Sequence, residues 1–296
     1  MRLSTTRPHP TLIRAVLLLA AATSCSGKNG SPAAPSQASD PGAPIFYTAI
    51  GASDAVGVGS SALCVPFTAC PNGAGYVPVI ARDLGAGGAT VTLMNLGIPA
   101  AVLSRRLQDI GNAYGRGIPG NAIDDEAPFV PKNTTLLTMF VGGNDTNTIA
   151  AAVGGGAGGG DPNSYIDAQV RAFAGDIGAL VAAVKQRAPG ARIVVANLPN
   201  FAGMPYTATL SPDNKLIMQR ISVGLATQAI NPLAAQGIAV IDLLCDERFL
   251  QPGNFSPDGF HPNDAGYRLL ADEMLKALRQ PTYPAPQASC GLMTLR

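Results

Sequence analysis

The chain has no tryptophan, and only 5% of its 296 residues are aromatic. Long polysaccharides are commonly gripped on aromatic platforms, so this composition gives no support for an extended sugar-binding surface. Charge is also scarce, at 13% of residues, with a formal net charge of +1. Removing residues 1–24 takes away Arg2, Arg7 and Arg14 but no acid, which leaves −2. Such a chain has no electrostatic case for binding nucleic acid. No Cys-x-x-Cys is present and histidine occurs only as His9 and His261, so neither a zinc site nor any other metal is expected. The glycine run 154–160 (GGGAGGG) has no Lys-Ser/Thr after it and reads as a surface loop, not a phosphate cradle. Asp124-Asp125-Glu126 lacks the spaced oxygen ligands of a calcium loop and reads as a solvated acidic loop. There is no internal repeat and no apolar run long enough to span a bilayer.

What is present begins with an export signal. Three arginines precede the short apolar run Ala15–Ala22, and Ala22-Thr23-Ser24 offers small residues for cleavage before Cys25. This stretch resembles a bacterial lipoprotein box, whose cysteine is lipidated after cleavage, although Ala22 stands where a larger aliphatic residue is usual. The expectation is a signal peptide over residues 1–24, with Cys25 as the lipidated residue and a possible membrane tether. Residues 25–43 are rich in Ser, Pro, Gly and Ala and read as a flexible tether. A lipidated Cys25 leaves four cysteines in an oxidising compartment. Pairing Cys64 with Cys70 and Cys245 with Cys290 staples a loop and a terminus locally, and this is the expected arrangement.

From residue 44 to 296 the pattern is that of one α/β domain. Strands are expected at Ile45–Ile50, Thr90–Asn95, Thr134–Val141, Arg192–Asn197 and Ile238–Ile241. Helices are expected at Tyr76–Leu84, Ala100–Ile110, Ser164–Arg187, Asp213–Ala235 and Asn263–Arg279. In the longest, Ile166, Val170, Phe173, Ile177, Leu180, Val181 and Val184 form one apolar stripe. This alternation specifies a parallel sheet covered on both faces, with ligands bound beyond the carboxyl ends of its strands.

Three groups of residues fall near such ends. Ser53, in Gly51-Ala52-Ser53-Asp54, ends the first strand and enters a glycine-containing turn, where its hydroxyl can meet a base; a helix-capping serine fits the same place. Gly142-Gly143-Asn144-Asp145 follows the third strand, and the Asn144 amide can donate to a developing oxyanion, or simply occupy a tight turn. Asp258-x-x-His261 can bring a carboxylate to one imidazole nitrogen and leave the other for Ser53. His261 is then the base, since His9 lies in the leader. Phe201, Met204 and Tyr206, within residues 200–210, form either one wall of an acyl pocket or ordinary packing.

Taken in order, these blocks resemble the SGNH (GDSL-type) hydrolase superfamily over Phe46 to about Leu278. The segment Asp258–Tyr267 (DGFHPNDAGY) and Gly142-Gly143-Asn144-Asp145 carry the likeness most specifically, and Asn95–Ala100 (NLGIPA) matches a further block. The resemblance implies a flavodoxin-like three-layer α/β/α sandwich with a five-stranded parallel sheet, no cofactor, and a Ser53–His261–Asp258 triad that forms a serine acyl-enzyme. It also implies an oxyanion hole of the Ser53 and Ala100 N–H groups and the Asn144 amide, with Gly97 as the alternative to Ala100. Two departures stand out. Ala52 replaces the usual aspartate before the serine, and Ala100 replaces a glycine. The expected activity is hydrolysis of small-molecule or lipid esters with short or medium acyl chains by an exported enzyme. An acyltransferase, a polysaccharide deacetylase and a tethered binding protein that kept the fold are the alternatives.

Overall fold

The computed structural model describes residues 43–294. The expected leader, Cys25 and most of the tether lie outside the described residues. Five strands form one sheet: β1 (Ile45–Gly51), β2 (Val91–Asn95), β3 (Leu136–Phe140), β4 (Arg192–Ala196) and β5 (Ala239–Ile241). Every pairing is parallel and the order is β2-β1-β3-β4-β5, with Gly51 opposite Phe140 and Ala49 opposite Asn95. Being covered on both faces, the central strands are almost continuously apolar, as in Leu136–Phe140 (LLTMF) and Arg192–Ala196 (RIVVA).

Among the described residues, seven α-helices supply the covering layers. They are α1 (Ser53–Val56), α2 (Tyr76–Gly85), α3 (Arg105–Ala113), α4 (Gly143–Gly154), α5 (Pro162–Arg187), α6 (Pro212–Gly224) and α7 (Asp264–Arg279). One face of the sheet packs on α2 and α7 through Tyr76, Ile80, Tyr267, Leu270 and Met274. The other packs on α3 to α6, and the seven stripe residues of α5 are its buried residues. The result is a three-layer α/β/α sandwich. The chain passes from β1 to β2 on one side and then crosses back over β1 to β3 on the other, so the strand order reverses beside β1. Ligand crevices form at such reversals, beyond the carboxyl ends.

Two local expectations are corrected. The segment from Ala100 to Ser104 is not helical. Ala100 is left-handed (φ 65°), Val102 bridges to Asn121, and the helix begins only at Arg105. Conversely, Gly143–Gly154 is a helix that turn-like glycine and asparagine signals concealed; it buries Asp145, Thr146, Thr148, Ile149 and Ala152. The structure joins Cys64 to Cys70 and Cys245 to Cys290. No helix among the described residues is long and apolar enough to cross a membrane.

Candidate active site

Strand β1 ends at Gly51, and the Ala52 carbonyl accepts the Ala55 N–H at 3.1 Å, turning the chain at once into α1. Ser53 is the first residue of that short helix, and Gly57 (φ 81°) ends it. Ser53 thus sits over the carboxyl edge of the sheet. Its Oγ lies 2.8 Å from Nε2 of His261, although 208 residues separate the two. On the other side of the ring, Nδ1 is 2.6 Å from Asp258 Oδ2.

The loop bearing His261 is rigid. Asp258 Oδ1 accepts from Ser256 Oγ and from the N–H groups of Phe260 and His261, at 2.8, 2.8 and 2.9 Å. Burial opposes ionisation of Asp258, but the hydrogen bonds from His261, Phe260 and Ser256 outweigh it and hold the carboxyl well below its ordinary range. Beyond the loop, the Asn263 side chain caps α7 by accepting from Ala265 and Gly266 N–H. Behind it, Gly59 (φ 92°) packs so closely that a Cβ there would lie 2.6 Å from the Pro262 carbonyl oxygen and 2.9 Å from the His261 Cβ. This arrangement can pass a proton from serine to imidazole and leave the resulting charge beside a fixed carboxylate.

Asn144 stands in the first turn of α4, not in a left-handed turn. Its Nδ2 donates to the Ala101 carbonyl at 3.0 Å, which leaves one amide hydrogen unassigned. Next to it, buried Asp145 accepts the Leu103 N–H at 2.8 Å. These bonds tie α4 to the Ala100–Leu103 loop. Of the two oxyanion alternatives in that region, Gly97 is buried and its N–H donates to Asn95 Oδ1 at 3.1 Å. Ala100 is exposed, and among the described residues its N–H donates to no protein acceptor.

A narrow apolar cleft opens beside Asn144 and Ala101, lined among others by Val141, Leu198, Phe201, Met204 and Phe260. Phe260 packs edge-on against the His261 ring at 4.8 Å, and against Tyr206 and Phe201 at 5.0 and 5.9 Å between centroids. Phe201 and Met204 therefore serve as both pocket wall and core. Tyr206 supports Phe260 and donates its hydroxyl to Asn147.

The sequence matches the GDSL-like lipase/acylhydrolase family over residues 49–269. The chain belongs to that family. No match is found among curated proteins. Among solved structures, an extracellular lipase from Streptomyces rimosus is similar with a TM-score of 0.54 and 17% identity, over 80% of this chain and 100% of that one. A lipase from a goat rumen metagenome is similar at 0.54 and 16%, over 79% and 97%. At these identities the likeness is one of fold.

Family membership makes the protein a hydrolase of the esterase and lipase type, and it sharpens the two departures. A glycine at position 100 takes a left-handed conformation without strain, whereas Ala100 holds it against its Cβ. At the other departure, Ala52 lines the cleft, while the neighbouring acid Asp54 also borders it and has its carboxyl pushed up by burial. The reading of Asp124–Glu126 as a solvated loop is corrected in part. Asp124 is exposed, but Glu126 is fully buried against β1, because a wide π-helical turn over Ala122–Glu126 swings it inward. Ser256, Gly59, Asp145 and Glu126 also hold the site's surroundings; of these, only Asp145, in the Gly142-Gly143-Asn144-Asp145 motif, carried a usable sequence signal.

Proposed function

We propose that the protein is a serine esterase for short acyl esters, with Ser53 as nucleophile. The observation that carries this reading is the line Ser53 Oγ, His261 Nε2, His261 Nδ1, Asp258 Oδ2, with contacts of 2.8 and 2.6 Å, whose chain neighbours Ala52, Asp54, Phe260 and Pro262 line an apolar cleft. His261 takes the Ser53 proton as Oγ attacks the ester carbonyl, then returns it to the departing alcohol. Water repeats the cycle and releases the acid. Asp258 fixes the imidazole tautomer and stabilises the imidazolium. The free hydrogen of the Asn144 amide, with the Ala100 and Ser53 N–H groups, receives the oxyanion.

Cleft size supports short over long acyl chains. The free volume is about 60 Å³, room for on the order of four or five water-sized groups. That is in keeping with a small acyl group such as acetyl to butyryl. The two disulfides support an exported enzyme, in which residues 1–24 are removed and Cys25 becomes the lipidated first residue. The intact mass of the exported protein tests that last point.

The function itself is tested by hydrolysis of p-nitrophenyl esters from acetate to palmitate, using protein lacking residues 1–25 beside Ser53→Ala. Activity that peaks at short chains and vanishes in the variant is expected. No hydrolysis, together with no labelling of Ser53 by a fluorophosphonate, would favour the binding-protein alternative.

A further inference from the structure

Glu126 is completely buried and reaches the site from a segment with no other part in the chemistry. Its Oε2 accepts the Gly51 N–H at 2.9 Å, two residues before Ser53. The Gly51 carbonyl in turn accepts the Ile98 N–H at 3.2 Å, at the start of the turn that leads to Ala100. The Glu126 segment holds the far side of that turn as well, since the Ala122 and Ile123 N–H groups donate to the Val102 and Leu103 carbonyls at 2.9 and 3.2 Å. One short turn thus grips both the strand end that presents Ser53 and the loop that presents Ala100. Glu126 also borders the cleft that Ala52, Ala101 and Asn144 line.

We infer that Glu126 is a positioning residue, its buried carboxyl setting Ser53 at a fixed distance from the oxyanion donors. The inference rests on the esterase reading above.

The protonation state of Glu126 follows from its surroundings. Among the described residues no cation pairs with it, and Oε1 has no hydrogen-bond partner. The groups that face it are acids or neutral: Asp125 beside it, and Asp54 and the Tyr76 hydroxyl beyond Gly51. Arginines on the neighbouring chain segments are engaged elsewhere, Arg105 with Asp124, Arg106 with Asp176 and Arg187 with the Val130 carbonyl. Burial therefore drives the carboxyl well above its ordinary range, more strongly than the Gly51 hydrogen bond lowers it. Protonated, it anchors Gly51 without charge. Ionised, it sets a negative charge close to where the oxyanion must form, in a dry site where that charge is poorly screened.

The experiment compares Glu126→Gln and Glu126→Ala with the wild type and Ser53→Ala, using p-nitrophenyl acetate from pH 6 to 10. Wild-type activity that Ser53→Ala abolishes establishes the esterase independently of Glu126. Glu126→Gln keeps an acceptor for Gly51 but cannot ionise. It is expected to match the wild-type kcat near neutral pH and to lack any alkaline fall in kcat that ionisation of Glu126 causes in the wild type. Glu126→Ala is expected to lower kcat by about tenfold or more with KM changed by less than about twofold. A Glu126→Gln kcat well below the wild type at neutral pH, an alkaline fall that persists unchanged in Glu126→Gln, or a full kcat in Glu126→Ala would overturn the inference. If Glu126→Ala does not fold, the Glu126→Gln profile decides.

Discussion

Asp258 holds His261 from two directions: Oδ2 lies 2.6 Å from the ring Nδ1, and Oδ1 accepts the His261 N–H at 2.9 Å. One carboxylate thus orients both the ring and the backbone that carries it. Asp258→Asn keeps an acceptor but loses the charge, so kcat is expected to fall by roughly 10³- to 10⁴-fold with the fold intact. The same residue affects acid stability. The folded carboxyl is held below its ordinary range, so as the pH falls the unfolded chain takes up this proton first. The stability it contributes is present above about pH 4 and fades as the pH drops toward the lower folded value. The gap in melting temperature between wild type and Asp258→Asn should therefore be wider at pH 6 than at pH 3. A constant gap would mean that the carboxylate adds nothing by being charged.

Asn144→Ala removes an amide donor and also releases the Ala101 carbonyl. Turnover should drop by on the order of a hundredfold or more, with the melting temperature little changed. An unaltered kcat would take Asn144 out of the oxyanion site.

Replacing alanine by glycine inside a helix costs about 0.5–1 kcal/mol. At position 100 the left-handed backbone reverses much of that balance, since relief of strain worth about 1–2 kcal/mol opposes the entropy lost by glycine. Ala100→Gly should leave stability unchanged or slightly higher in urea titration, and esterase kcat equal or higher. A loss of about 1 kcal/mol would show that Ala100 bears no strain.

The parts of this architecture that repeat a period were legible in the sequence. Ile166 to Val184 could form only one stripe, and β-branched runs such as Arg192–Ala196 had only buried strands to occupy. Ser53, Asn144 and Asp258-x-x-His261 stood out as candidates because, taken in order, their blocks resemble those of a known family; singly, a serine or asparagine at a strand end fits an ordinary cap or turn. What stayed hidden depends on contacts between distant segments. Nothing local to Glu126 separates it from the exposed Asp124 two residues away, and its role exists only because Gly51 lies 75 residues back in the chain. Helix α4 was concealed for a different reason, because its first turn is written in residues that also build loops and its Ala-rich middle gives little apolar contrast.

Gly59 is a test of how tightly the histidine loop is held from behind. In Gly59→Ala the new methyl meets the Pro262 carbonyl and His261 Cβ at distances that force movement, and φ 92° strains it further. Displacing His261 by even about 1 Å should cost on the order of a hundredfold in kcat. Fluorophosphonate labelling of Ser53 should slow in parallel. Normal labelling and turnover would show that the loop absorbs the methyl elsewhere.

Asp145 gives the opposite pH response to Asp258. It is buried beside Asn144, and burial pushes its carboxyl up to about 7 despite the hydrogen bond from the Leu103 N–H. Between about pH 4 and 7 the folded protein keeps this proton while the unfolded chain has lost it. Stability contributed by the protonated form is therefore complete near pH 4, declines as the pH rises toward 7, and is gone above that. Asp145→Asn copies the neutral acid and still offers Leu103 an acceptor, so it should retain activity while losing this dependence. The melting temperature of the variant should exceed that of the wild type at pH 8, and the two should converge near pH 4. Glu126 acts in the same direction in both proteins, so the difference between their curves isolates Asp145. Parallel curves would mean that Asp145 is ionised at both ends of the range, and that its neighbours supply more stabilisation of the charge than the single Leu103 hydrogen bond provides.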